Sequence, residues 1–288
     1  MYKIAILGCE NSHAKNFLDL IAKGLYPDID VVGVYSNEPE AVQKLHDTFG
    51  VKIMESFDEC VGKVDGVMIT ARHGDNHYKY AKPYLANGIP MFIDKPITCS
   101  EEDAVAFMSE AKEKGVRLCG GSTCAALKET LALADDVKSE KHGELYSGSV
   151  CSPLISDSPY GGFYFYAQHL VEIMTTIFGT DVKAVRAERN EKTLDFYAYY
   201  DSFTVKGTYI EKGKYYTASV YGYKSSRSEI LNFTPESFSH EMNDMHDLLS
   251  GGEMKKTYKE FVTPVFVMNA IVRSLDSGEK EELNEIII

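Results

Sequence analysis

The chain opens with an apolar run, Tyr2–Leu7, followed by a glycine-started turn and an amphipathic stretch, Ala14–Lys23. This coupling of strand-like and helix-like segments recurs through residues 1–120. Asp30–Tyr35 reads as a second buried strand. After it, Pro39 stands where the first turn of a helix tolerates proline, and Gly50 where a helix ends. Further apolar runs at 51–54, 66–69, 91–93 and 117–119 are separated by helical stretches at about 57–62, 76–87 and 101–114. The last stretch has a capping-box-like start, Ser100 with Asp103, and Gly115 closes it. Apolar runs without alternation mark strands buried on both faces. With helices between them, they predict an α/β domain built on a doubly wound parallel sheet. Ligands of such sheets bind beyond the carboxyl ends of the strands.

The pattern changes after Gly120-Gly121. Segments near 184–190, 193–200, 202–211 and 214–223 carry the β-branched and aromatic bias of strands. Asp201 and Glu211-Lys212-Gly213-Lys214 supply the turns, which predicts an antiparallel meander. Between residues 159 and 179, Leu170, Ile173, Met174 and Ile177 follow a helical repeat, while His169, Glu172 and Thr176 share another face. Two further helices are expected to open at Thr234-Pro235 and Thr263-Pro264 and to end at Gly251 and Gly278. The expected organisation is one domain over 1–120 and an α+β domain over 121–288 with a mainly antiparallel open sheet.

Composition narrows the function classes. Of 288 residues, 44% are hydrophobic, enough for a sizeable core, and the formal net charge is −13. Neither half carries a basic patch, so nucleic acid and anionic membranes are excluded as partners. No apolar run approaches the roughly 18 residues that cross a bilayer. Six cysteines lie scattered without a CxxC pair. They read as free thiols of a reducing compartment, so a cytoplasmic protein is expected.

Candidate chemistry clusters where the parallel strands end. The first turn is Gly8-Cys9-Glu10-Asn11-Ser12-His13. A dinucleotide fingerprint wants glycine at its first, third and sixth places, and only Gly8 matches. The strand–turn–helix context still presents backbone amides to an anion. At the end of the second strand, where an acid normally holds the adenosine ribose, stand Ser36 and Asn37, so NAD and NADP both remain open. Thr70-Ala71-Arg72-His73 and His77 follow the fourth predicted strand, and Asp94-Lys95-Pro96 the fifth. A lysine there positions a hydroxyl or carbonyl and lowers a hydroxyl's pKa. His73 and His77 lack a third ligand at metal-site spacing, so no metal is expected. In the second half, His169 beside Glu172 makes an acid/base with an orienting partner.

Together these pieces resemble the Gfo/Idh/MocA family of NAD(P)-dependent oxidoreductases, which act mostly on sugars, polyols and related alcohols. Asp94-Lys95-Pro96 is similar to the family's Glu-Lys-Pro signature, and Thr70 to His77 to its Thr-Pro-x-x-x-His loop, with Ala71 at the proline. Gly161-Gly162 through His169 resembles its Gly-Gly…Asp-x-x-x-His helix. The resemblance implies a Rossmann domain, an open α/β domain and a small-molecule substrate. It implies Lys95 and His169 as catalytic residues, with Tyr164, Phe165, Tyr166 and Glu172 near the substrate. Three departures stand out. Glu10 and His13 replace glycines, Ser36 replaces an acid, and Phe165 stands where the family has its catalytic aspartate. The alternatives are a catalytically silent nucleotide- or sugar-binding regulator of the same fold, and a metal-dependent hydrolase built on His73, His77 and His169. The tyrosine-rich sheet is expected to form a homodimer or a tetramer.

Overall fold

The computed structural model describes residues 1–234 and 237–288. In chain order the elements are β1 (Tyr2–Leu7), α1 (Ser12–Ala22), β2 (Ile29–Tyr35), α2 (Pro39–Phe49), β3 (Gly66–Ile69), α3 (Asp75–Leu85), β4 (Met91–Asp94), α4 (Glu101–Glu113) and β5 (Leu118–Gly121). Then come α5 (Lys128–Lys138), β6 (Leu145–Leu154), α6 (Tyr164–Phe178), β7 (Ala184–Arg189), β8 (Thr193–Tyr199), β9 (Thr204–Glu211) and β10 (Tyr216–Gly222). The last are β11 (Ser226–Leu231), α7 (Ser237–Leu249), α8 (Tyr258–Ser277) and β12 (Glu281–Glu282). No described helix is long and apolar enough to cross a membrane.

The chain divides into two compact units. The first holds Met1–Gly121, the stretch from α7 to Phe261, and Ile288. Its five strands are all parallel, in the order β2-β1-β3-β4-β5, so the strand order reverses between β1 and β3. That reversal is where open α/β sheets leave a ligand crevice. α1 starts at the cap Asn11, whose side chain accepts from the His13 amide, and α4 at Ser100, which accepts from the Asp103 amide.

Three expectations change here. The run 51–54 is not a strand: Ile53 makes one parallel bridge to Val34, held by Val34 N–H to Lys52 (2.9 Å) and Met54 N–H to Val34 (2.9 Å). A short apolar run cannot by itself separate a strand from a sealing edge. Residues 57–62 form turns rather than a helix. Lys95 therefore follows the fourth strand and Thr70 the third. Finally, α7 belongs with the first unit and not with residues 121–288. Its Met242, Met245 and Leu248 share one buried cluster with Ile4, Ile6, Phe17, Met68 and Phe92. The proposed opening of this helix at Pro235 lies outside the described residues.

The second unit is built on a seven-stranded sheet in the order β11-β10-β6-β9-β8-β7-β12. It is mainly antiparallel, but it is not a meander. β6, which the sequence reading missed, lies between β9 and β10, parallel to the first and antiparallel to the second. One face is buried: Phe196, Val205, Tyr209, Val150 and Val220 are at most 1% exposed. α6 packs on that face, with the Tyr209 hydroxyl donating to Ala167 O (2.8 Å). Pro264 falls inside α8 instead of opening it, because the helix already begins at Tyr258.

Candidate cofactor and active site

In the first unit, Gly8 carries the one fingerprint glycine for a visible reason. Its φ is +80°, and a Cβ there would stand 2.3 Å from the Ala71 backbone nitrogen. Only glycine allows the first turn and the loop after β3 to approach this closely at the reversal point. Thr70 ties the same two segments, donating through Oγ1 to Gly8 O (3.0 Å). The Gly8 and Cys9 amides both donate to Tyr35 O (2.8 and 3.1 Å), which draws the end of β2 against the turn.

Glu10 spans these three strand ends. Its Oε2 accepts from the Ser36 hydroxyl (2.6 Å) and its Oε1 from the Arg72 amide (3.0 Å). Ser36 also accepts from the Glu38 amide (3.1 Å), so it serves the entrance of α2 as well. Asn37 is drawn aside, accepting from the Tyr35 hydroxyl (2.8 Å), and Ser12 is exposed on the first turn of α1. Nearby, the Tyr80 hydroxyl is fully buried with no hydrogen-bond partner among the described residues.

Asp94, at the end of β4, is completely buried and takes part in two hydrogen bonds and one ion pair. Asn11 Nδ2 (2.7 Å) and His13 Nδ1 (2.9 Å) meet Oδ2, and the Lys95 amide (2.7 Å) meets Oδ1. Burial opposes ionisation of this carboxyl, yet His13 and Lys95 hold it below the usual carboxylate range. Burial likewise opposes the charge on His13, but the Asp94 carboxylate beside it outweighs that and keeps the imidazole above its ordinary pKa. Lys95 is 4% exposed, so its ammonium is not a solvated surface charge.

His77 is fully buried, with Nδ1 2.6 Å from Pro96 O and Nε2 2.9 Å from Ala71 O. It braces the loop after β3 against the loop after β4, a different part from a residue facing a ligand. Burial pushes its pKa down. His73 keeps apart from it and lies 3.7 Å from Asp75, with Cys99 in the same small cluster. The Cys99 thiol is pushed up to about 12 by burial and by Asp75, so it keeps its proton. The hydrolase reading loses His77, both of whose ring nitrogens are engaged by backbone carbonyls.

The second unit gathers its own cluster on α6. His169 Nδ1 lies 2.6 Å from Ser122 Oγ. The Ser122 amide donates to Glu172 Oε2, and Gln168 Nε2 donates to Glu172 Oε1 (2.8 Å). Ser122 is thus the link between His169 and Glu172, and sequence reasoning missed it. Tyr166 and Tyr216 flank the imidazole, with ring centroids 5.3 and 6.0 Å away. Phe165 packs on Tyr160 and Tyr166, and the Tyr164 hydroxyl donates to Asn269 Oδ1 (2.9 Å).

Comparison with known proteins supports the resemblance. Residues 2–122 match the model of the oxidoreductase family with the NAD-binding Rossmann fold, GFO_IDH_MocA. Through these residues, the chain is similar to the Gfo/Idh/MocA family. An uncharacterised oxidoreductase of Escherichia coli, YhhX, is 24% identical over 199 residues, which span 61% of this chain and 56% of that relative. GenD2 from gentamicin A biosynthesis, solved in complex with NAD, superposes with a TM-score of 0.86 at 17% identity, covering 99% of this chain and 97% of its own. A myo-inositol dehydrogenase from Corynebacterium glutamicum reaches 0.82 at 17% identity, covering 99% of each chain. At such identities the two structures share the fold.

The match of residues 2–122 to an NAD-binding Rossmann family implies an NAD(P) cofactor, and the first unit has features that fit one. The close approach at Gly8 leaves no room for a Cβ between the first turn and the loop after β3, and the buried, unpartnered Tyr80 hydroxyl lies near Glu10. Gly8 with the amides opening α1 would hold the pyrophosphate, and Ser36 with Glu10 the adenosine ribose. The family's catalytic aspartate has no counterpart at position 165, where a phenyl ring packs among tyrosines.

Proposed function

We propose that the chain is an NAD(P)-dependent dehydrogenase acting on a carbinol carbon of a sugar, polyol or related small molecule. The observation that carries this reading is the Asp94-Lys95 junction: a lysine 4% exposed at the end of a parallel strand, its backbone fixed by a buried carboxylate. A bound nicotinamide supplies the hydride acceptor or donor; the protein supplies orientation and electrostatics. Lys95 Nζ holds the substrate hydroxyl and favours its deprotonation. His169, oriented through Nδ1 by Ser122, carries the proton. The buried Asp94 keeps the Lys95 loop in register.

Replacing Lys95 by alanine is expected to lower turnover by roughly 100-fold or more while NADH affinity changes little. Stopped-flow and fluorescence titration of the same variant measure both. Unchanged turnover under chemistry-limited conditions removes Lys95 from the mechanism. A second reading, a silent binding or regulatory protein, is favoured by Phe165 in place of the aspartate. Absence of NADH binding at millimolar cofactor decides for it.

The outward face of the second unit's sheet supports the proposal of a homodimer. Tyr146 and Tyr197 are 49% and 39% exposed there, beside a row of serine and threonine hydroxyls on β6, β9 and β10. Light scattering at micromolar concentration is expected to give twice the chain mass or four times it; a monomer defeats this part. All six cysteines are free thiols, which supports a reducing compartment such as the cytoplasm.

A further inference from the structure

The third place of the fingerprint carries a glutamate whose side chain does not turn out to solvent. It crosses to the carboxyl end of β2 and accepts the Ser36 hydroxyl at 2.6 Å, while its other oxygen accepts the Arg72 amide at 3.0 Å. In nucleotide-binding sheets that select NAD, an acid at the end of β2 accepts the two ribose hydroxyls, and a 2′-phosphate is turned away by its charge. Here the residue at that end is a serine, too short and neutral for the task. The carboxylate has been moved, from the second strand to the first turn, and the serine hydroxyl anchors it where the ribose must lie.

We infer that Glu10 is the cofactor-selecting residue, making this chain an NAD protein that discriminates against NADP. The inference rests on the dehydrogenase reading above. Three features support it together. The carboxylate is held from two sides by uncharged donor groups, the Ser36 hydroxyl and the Arg72 backbone amide, and neither hydrogen bond neutralises it. Asn37, the next side chain along, is tied to the Tyr35 hydroxyl and offers no positive charge for a phosphate. Tyr80 and Tyr35, packed edge to face at 5.7 Å, wall the same corner with aromatic surface. A vicinal diol donates two hydrogen bonds to such a carboxylate; a 2′-phosphate removes one of them and brings like charge into a partly dehydrated corner.

The test is a pair of fluorescence titrations, NADH and NADPH, against the purified full chain and its Glu10→Gln variant. Glutamine keeps the shape and removes the charge, and circular dichroism confirms the fold. The wild-type chain is expected to bind NADH about tenfold or more tightly than NADPH, and the variant to narrow that ratio to about threefold or less. NADPH binding as tightly as NADH in the wild type overturns the inference while leaving the dehydrogenase reading intact. So does a ratio that survives in Glu10→Gln. Binding of neither cofactor overturns the dehydrogenase reading and this inference with it.

Discussion

The two units place their polar side chains by different routes. In the first, every group around the crevice comes from a strand end or the residues just beyond it: Gly8 and Glu10 after β1, Ser36 after β2, Thr70 and Arg72 after β3, Asp94 and Lys95 at β4. Parallel strands all point their carboxyl ends the same way, so topology alone converges these residues. In the second unit, His169 sits in the first half of one helix and its partner Ser122 lies 47 residues earlier in the chain. No repeat or strand end joins them. Sites made by a parallel sheet are periodic in sequence; sites made by a helix meeting a distant turn are not.

If the first unit's site is held by its strand ends, removing the node that ties two of them should have the largest effect. Asp94 is that node, joining the first turn through Asn11 and His13 to the Lys95 loop. Asp94→Asn leaves a buried imidazole without its counter-charge, a change of about 3–5 kcal/mol in folding stability. The pH dependence follows from the raised pKa of His13. A group held above its unfolded value of about 6.5 contributes stability that is full below that pH and is lost as pH rises through the folded value. His77, held below its ordinary value, acts on the acid side, so the window above about 6.5 reports on His13. Urea midpoints of the wild type should therefore fall as pH rises above about 6.5, and those of Asp94→Asn should stay level. A level wild-type profile would show that the His13–Asp94 pair does not store stability.

The same contrast sets what was legible in the sequence. The strand ends of the first unit were readable because short apolar runs, a proline or serine at a helix start and a glycine at a helix end punctuate them. Position 51–54 misled for the same reason, since an apolar run that seals a sheet edge with one bridge looks like a strand. β6 escaped because its sequence, LYSGSVCSPL, is rich in serine and glycine and carries little β bias, although it sits mid-sheet. It pairs on both sides through its backbone, and Gly148 leaves room for the Phe178 ring: a Cβ there would be 2.2 Å from it. Packing, not propensity, makes it a strand. His169 was legible from its helix; its orienting partner was not, though the strand-end rule that found Lys95 after β4, applied once more, leads from β5 to Ser122. Glu10 could be seen as a charge in the wrong place, but only the crossing to Ser36 shows what that charge is for.

Ser122 gives the comparison its sharper and smaller test. Its hydroxyl faces His169 Nδ1 and accepts from the Cys124 amide (3.2 Å), so the backbone of the following turn fixes the hydroxyl, which in turn fixes the ring. Position 165, where the resemblance puts an aspartate, carries a phenyl ring, and Ser122 sets a hydroxyl against the imidazole. Ser122→Ala should lower kcat about tenfold with KM and NADH affinity nearly unchanged, because the proton carrier is present but no longer held. A merely structural role would lower stability and leave the pH–rate profile in place. A positioning role moves the limb that reports His169, and Ser122→Thr, which keeps the hydroxyl, should restore it. If alanine and threonine behave alike, the second unit holds its histidine by packing against Tyr166 and Tyr216, and the hydroxyl is incidental.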